Sequence, residues 1–156
     1  RDVAFAAGNF NTHDANPRVG VALLARLPEF LATRRRLVER YFARFPRDLG
    51  CVLPPAPADG DGQSWNMFNV LLPLPRLARD RRQIREALDA RGIGTGISYE
   101  ALHLSTLGRS LGGREGQFPV SERIARETLT LPLHTQMTDD DVDRVCDACA
   151  AILTSS

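Results

Sequence analysis

Apolar side chains recur every three or four residues between residues 17 and 45, which is the spacing of an amphipathic helix. The periodic positions are Leu23, Leu24, Leu27, Phe30, Leu31, Leu37, Val38, Tyr41 and Phe42. Pro28 lies inside the run and has no N–H to donate, so we expect a kink or a break between two helices there. Pro46 ends the element. Residues 1–16 lack such periodicity and are interpreted as an irregular lead-in.

After a proline- and glycine-rich loop, three short apolar runs are typical of buried strands. They predict strands over residues 65–72, 93–99 and 129–133. Gly94 and Gly96 weaken the second of these strands, and they mark a place where another backbone or a ligand can approach closely.

Helix signals lie between and after these strands. Asp80 with Gln83 three residues later forms a capping-box pattern, which predicts a helix of about three turns that ends near residue 92. A short helix is predicted over residues 121–128. Thr138 and Asp141 have the same capping spacing and predict a last helix that runs to about residue 153.

This order of elements predicts an α+β fold. A long N-terminal helical segment is followed by a small, mostly antiparallel sheet that helices cover on one face. We divide the chain into the lead-in at residues 1–16, connecting helices at 17–45 and a C-terminal domain at 51–156.

The net charge and the length of the apolar stretches argue against two classes of partner, nucleic acids and membranes. The 156 residues carry a formal net charge of +1, so no global field attracts a polyanion, and we expect no nucleic-acid partner despite the local Arg34-Arg35-Arg36 run. No apolar stretch approaches the ~20 residues of a membrane span. We therefore expect a cytoplasmic protein without a membrane partner. All twenty basic side chains are arginine, and the chain has no lysine.

The three cysteines are too few and too scattered for a disulfide framework. Cys146 and Cys149 could belong to a zinc or redox site, but they lie at helical spacing with Val142, Val145 and Ile152 on one apolar face. We interpret both as small core side chains and expect no metal site.

Glycines around residues 92–96 resemble part of a phosphate loop, but this run leaves a helix and enters a strand, the reverse of a dinucleotide-binding fingerprint. A turn is the favoured interpretation. Residues 104–119 are glycine-rich and predict a mobile excursion, in which Arg109 and Arg114 could alternatively clamp a phosphate or a sugar. His103 and His134 are lone histidines, which are more often structural than catalytic, so no catalytic residue is assigned.

Several segments in this order resemble the DegT-type sugar aminotransferases, pyridoxal phosphate (PLP) enzymes of the fold-type-I aspartate aminotransferase superfamily. The similar segments are Phe10-Asn11-Thr12-His13-Asp14, Trp65-Asn66-Met67-Phe68, Arg91 through Tyr99 with His103-Leu104, and Leu131-Pro132-Leu133 followed by Met137 to Val142. The resemblance covers nearly the whole chain and implies that it is the small domain of such an enzyme.

The resemblance also implies a reaction, in which an amino group moves from glutamate or glutamine to a nucleotide-linked keto sugar in a homodimer. Asn11 matches the asparagine that contacts the PLP phosphate, and His13, Tyr99 and His103 match substrate-side positions. His13 replaces the usual arginine, and Ser98 stands where a histidine is common. Covalent attachment of PLP requires the primary amine of a lysine, so this chain alone is predicted to be inactive without a large domain. The alternative is a non-catalytic domain that binds a partner or dimerises.

Overall fold

The computed structural model describes residues 15–56 and 62–154. In this part of the chain the fold is α+β, as predicted. Its helices are α1 (Ala15–Ala25), α2 (Leu27–Arg44), α3 (Arg81–Asp89), α4 (Thr106–Ser110), α5 (Pro119–Glu127) and α6 (Asp139–Leu153). Its strands are β1 (Phe68–Leu71) and β2 (Thr128–Leu131). None of these helices combines the length and the apolar character needed to cross a membrane.

The helical segment breaks next to Pro28, as its sequence position predicts. α1 ends at Ala25, and α2 begins at Leu27 with Pro28 in its first turn, where the missing N–H costs no helical hydrogen bond. Arg26 lies between the two helices, and its guanidinium pairs with Glu29 at 3.1 Å. The first helix begins at Ala15, two residues before the predicted start.

β1 and β2 pair antiparallel, with Asn69 opposite Thr130. Both strands are shorter than predicted. Trp65 has a φ of +47°, a left-handed conformation that cannot continue an extended ladder, so β1 starts only at Phe68. Pro132 has no N–H to add to the ladder, and β2 ends one residue before it.

The strand predicted over residues 93–99 is wrong. Within this segment only Gly96 pairs with the sheet, through two 2.9 Å backbone hydrogen bonds with Thr130. A β-carbon at Gly96 would lie 3.3 Å from Cβ of Thr130, so the glycine permits this close approach. Tyr99 at a φ of +43° then ends the extended path.

One side of the sheet lies in a hydrophobic core shared with α2, α3 and α6. Phe68 is fully buried, stacks on Tyr41 with ring centroids 4.6 Å apart and meets Phe42 edge-on at 5.5 Å. Cys146 and Cys149 are buried in the same core, as predicted. Burial raises the pKa of both thiols to about 12, so both stay protonated at neutral pH.

Both predicted capping boxes form. Asp80 accepts from the backbone N–H of Gln83 at 2.8 Å, and the Gln83 side chain accepts from the backbone N–H of Asp80 at 2.9 Å. Thr138 and Asp141 make the equivalent pair ahead of α6. The turn after α3 uses Gly92 at a φ of +71°, a conformation that glycine adopts at low cost.

An arginine–aspartate ladder joins α2 to α6. Arg36 pairs with Asp139, Arg40 pairs with Asp143, and Arg44 contacts both Asp143 and Asp147 at 3.3 and 3.4 Å. Along the pairs Arg36–Asp139, Arg40–Asp143 and Arg44–Asp147 both residue numbers rise by four, so the two helices run in the same direction.

The ladder makes stability depend on pH through Asp143. The hydrogen bond from Arg40 lowers the pKa of this carboxyl below its ordinary value of 3.8. The Asp143 carboxylate therefore contributes its full stabilisation above its ordinary pKa. This stabilisation is lost as pH falls through the lowered pKa. Asp143→Asn should lower stability at pH 7, with the difference from the wild type shrinking in strong acid, as urea unfolding at both pH values measures.

Asp147→Asn is the matched control for this prediction. Asp147 is 74% exposed and makes one long contact, so its replacement should change the urea midpoint much less. An Asp143→Asn deficit that stayed constant from neutral pH into strong acid would contradict an ion-pair contribution.

Candidate functional site

A polar cluster lies on the side of the sheet opposite the aromatic core. The Ser98 hydroxyl lies 3.0 Å from Oδ1 of Asn69 and 2.7 Å from Oγ1 of Thr130, and Thr130 lies 2.8 Å from the same Asn69 oxygen. Strand register places Asn69 opposite Thr130, and the bridge at Gly96 brings in Ser98 two residues later on the same side. We name Asn69, Ser98 and Thr130 the polar triad.

The polar triad has fewer hydroxyl protons than contacts. Each hydroxyl carries one proton, so at most two of the three contacts are hydrogen bonds at one time. Oδ1 of Asn69 is the acceptor in this arrangement, an assignment made from the hydrogen-bond pattern. The amide N–H groups of Asn69 are not used by the triad and can serve a polar ligand.

Tyr99 follows the triad directly along the chain. It is 78% exposed, and its φ of +43° is unusual for an aromatic residue. Strain of this kind persists where the surrounding structure holds it, often at binding sites. The Tyr99 ring is thus exposed to solvent, and in the sequence it directly follows Ser98 of the polar triad.

The His103 side chain packs inside the fold, against Glu122 and Phe118. Nε2 of His103 is 2.9 Å from a carboxylate oxygen of buried Glu122, and the imidazole packs edge-on against Phe118 with centroids 4.9 Å apart. Glu122 also accepts from the backbone N–H groups of Gly116 and Phe118. The His103 hydrogen bond and these backbone donors together lower the pKa of Glu122, so the carboxylate is charged at neutral pH.

The segment over residues 104–119, predicted to be a mobile excursion, packs closely against the chain near His103. α4 lies within it, capped by the Ser105 hydroxyl. A β-carbon at Gly113 would lie 2.0 Å from the His103 carbonyl oxygen, and one at Gly108 would lie 2.2 Å from that of Leu102. These glycines permit a close backbone approach. Arg109 donates to the Leu104 carbonyl at 3.0 Å and holds the loop itself.

Two of the four predicted site residues, Asn11 and His13, lie outside the described residues. The other two, Tyr99 and His103, occupy different environments, one in solvent and the other against Glu122. No sequence pattern pointed to Asn69 or Thr130, since each is a single polar residue within a run predicted to be an apolar strand.

This chain by itself does not provide the groups needed to attach PLP. It has no lysine to hold the cofactor covalently, and burial raises the pKa of its three thiols, so they stay protonated at neutral pH. Within residues 15–56 and 62–154, no three histidine, cysteine or acidic side chains are grouped to hold a metal ion.

Comparisons with known proteins agree with the motif order. The family model described as the DegT/DnrJ/EryC1/StrS aminotransferase family matches residues 3–150. The spore coat polysaccharide biosynthesis protein SpsC of Bacillus subtilis is 29% identical over 140 residues, which are 88% of this chain and 36% of SpsC. The chain thus spans a little over a third of the length of the relatives it matches.

Solved structures share the fold. The aminotransferase TlmJ from Streptoalloteichus hindustanus is 34% identical with a TM-score of 0.70, over 88% of this chain and 35% of TlmJ. Spr1654 from Streptococcus pneumoniae in its PLP form has a TM-score of 0.81, over 92% of this chain and 36% of that protein. Its identity of 24% bears on the fold alone.

Proposed function

Because the chain belongs to the DegT/DnrJ/EryC1/StrS aminotransferase family, we propose that it is the C-terminal segment of a PLP-dependent sugar aminotransferase. The proposed reaction moves an amino group from glutamate or glutamine to a nucleotide-linked keto sugar. The product serves cell-surface polysaccharide or secondary-metabolite sugar synthesis, and the name of SpsC supports the first of these. The proposed enzyme is a cytoplasmic homodimer.

The chain matches the family along most of its length but lacks the residue that attaches PLP. The family match covers residues 3–150, yet the chain spans only 36% of SpsC and contains no lysine. We therefore assign PLP attachment to a lysine-bearing large domain outside these 156 residues. When bound, PLP supplies the electron sink for amino transfer. The residues of this chain then bind and orient its phosphate and the substrate.

Each proposed site residue has a defined task. Asn11 donates its amide to the PLP phosphate of the neighbouring subunit, and His13 contacts substrate. Tyr99 offers an exposed ring and hydroxyl. His103 offers Nδ1, because its Nε2 is held by Glu122.

Full-length protein that contains this chain provides the test. It should transfer an amino group from glutamate or glutamine to a nucleotide keto sugar, measured by product mass. Asn11→Ala should weaken PLP retention roughly ten- to a hundredfold, since a hydrogen bond to a charged group contributes about 1.5–3 kcal/mol. Spectrophotometric titration measures PLP affinity, and Asn9→Ala, a neighbouring asparagine, is the control.

The alternative to a phosphate contact is a purely structural role, in which Asn11 only stabilises a turn. A lowered melting temperature with unchanged PLP affinity would reject the phosphate contact. Absence of amino transfer by full-length protein that retains bound PLP would reject the reaction itself.

The second candidate, partner binding or dimerisation through residues 17–45, has one supporting observation. α1 exposes apolar side chains, among them Val21 at 69% and Leu24 at 65%. Exposed apolar surface of this kind marks contact with other protein. A large domain that covers α1 accounts for the same observation, and amino transfer by the full-length protein distinguishes the two proposals.

A further inference from the structure

A cavity of about 310 Å³ lies between an edge of the sheet and α5. Its apolar wall includes Val52, Leu71 and Pro75. Charged side chains from two different parts of the chain also line it, namely Arg76, Arg123 and Glu127. A volume near the lower end of the ligand-site range fits a small molecule of a few carbon atoms.

The charges in this cavity do not balance. Arg123 donates from Nε to the Glu127 carboxylate at 2.9 Å, so these two charges compensate each other. Arg76 is an exposed residue at the rim of the cavity, and no hydrogen bond or ion pair joins its side chain to another residue among 15–56 and 62–154. The lining thus keeps one uncompensated positive charge, and a guanidinium binds a carboxylate through two parallel hydrogen bonds.

The cavity is held by backbone contacts on each side. The N–H of Leu72 donates to the Glu127 carbonyl at 2.9 Å, which ties the end of α5 to β1. Val52 and Leu71 exchange two backbone hydrogen bonds of 3.0 and 2.9 Å. Gly50 faces the arginine, since a β-carbon there would lie 3.7 Å from Nη1 of Arg76 and 3.8 Å from Pro73.

We propose that this cavity binds a small organic monocarboxylate, with the carboxylate on Arg76 and the apolar tail against Val52, Leu71 and the prolines. The apolar wall favours a tail, and the single excess positive charge favours a monoanion. This site is independent of the proposed amino transfer, because it uses neither the polar triad nor Tyr99.

Calorimetric titration of the full chain with acetate, butyrate and hexanoate tests the tail. Affinity should rise by up to about fourfold per methylene as the tail enters the cavity, from a buried-methylene transfer value of about 0.8 kcal/mol. Inorganic phosphate, an anion without a tail, should bind more weakly than hexanoate. Equal affinity for acetate and hexanoate would overturn the proposal, as would phosphate binding as tightly as hexanoate.

Three variants test the charges. Arg76→Gln should weaken hexanoate binding by at least about tenfold, as expected for a charge-assisted hydrogen bond. Glu127→Gln should tighten binding, because it frees Arg123 and removes a negative charge. A gain in affinity cannot come from misfolding.

Arg126→Gln is the matched control, since Arg126 is an exposed arginine of α5 outside the cavity lining. Its hexanoate affinity should equal that of the wild type. Equal losses in Arg76→Gln and Arg126→Gln would reduce the effect to surface charge and overturn the site. An unchanged or weakened affinity in Glu127→Gln would also overturn it.

Discussion

Phe68→Ala should lower the free energy of unfolding by about 3–5 kcal/mol, the range found for removing a buried phenylalanine from a core. Phe68 is fully buried and packs against three aromatic rings. Their centroids lie 4.6 Å away for Tyr41, 5.5 Å for Phe42 and 6.4 Å for Trp65. The three rings come from α2 and from the chain before β1, so they cannot all move to fill the space.

Urea unfolding followed by circular dichroism measures this change. Phe118→Ala is the matched control, because it removes the same atoms from a ring that is 50% exposed and contacts His103 edge-on. The Phe118 variant should lose much less stability. Similar losses in the two variants would show that the cluster around Phe68 is not the main source of core stability.

Gly113→Ala should cost about 1–3 kcal/mol, because an added methyl would overlap backbone that cannot rotate away. The β-carbon would lie 2.0 Å from the His103 carbonyl oxygen and 2.8 Å from that of Gly108. We also expect the shift to disturb the hydrogen bond between His103 and Glu122. Thermal unfolding measures stability, and the NMR signals of the His103 ring report its environment.

Gly94→Ala provides the comparison, since a β-carbon at Gly94 has no atom within 4 Å. That substitution should be neutral or slightly stabilising, because alanine lowers the conformational entropy of the unfolded chain and its β-carbon meets no other atom in the fold. Unchanged His103 signals and full stability in Gly113→Ala would contradict the close approach.

Part of the candidate site was foreseeable from the chain and part was not. Tyr99 and His103 were selected by motif resemblance, and the structure places Tyr99 in solvent and His103 against Glu122. Asn69 and Thr130 were not selected, because each is one polar residue in an apolar run. They meet only because strand register places them opposite each other.

The strand error at residues 93–99 has a related cause. Apolar β-branched residues predict an extended chain, and the chain is extended near Gly96. Whether an extended segment becomes a strand depends on continued pairing with a neighbour. Pairing stops after Gly96, and Tyr99 adopts a left-handed conformation that sequence pattern does not reveal.

The sequence by itself determined what depends on local interactions or on composition. The capping boxes at Asp80 and Thr138 join groups three residues apart, and the break beside Pro28 follows from one missing N–H. The absence of lysine excludes attachment of PLP to a lysine side chain within this chain.

Only the tertiary structure decided which distant groups meet. Arg40 and Asp143 are 103 residues apart in sequence, Asn69 and Thr130 are 61 apart, and the cavity joins Arg76 to α5. No local energy term favours these pairs. Helix packing and strand register bring them together, because burial of the common core fixes the positions of the elements that carry them.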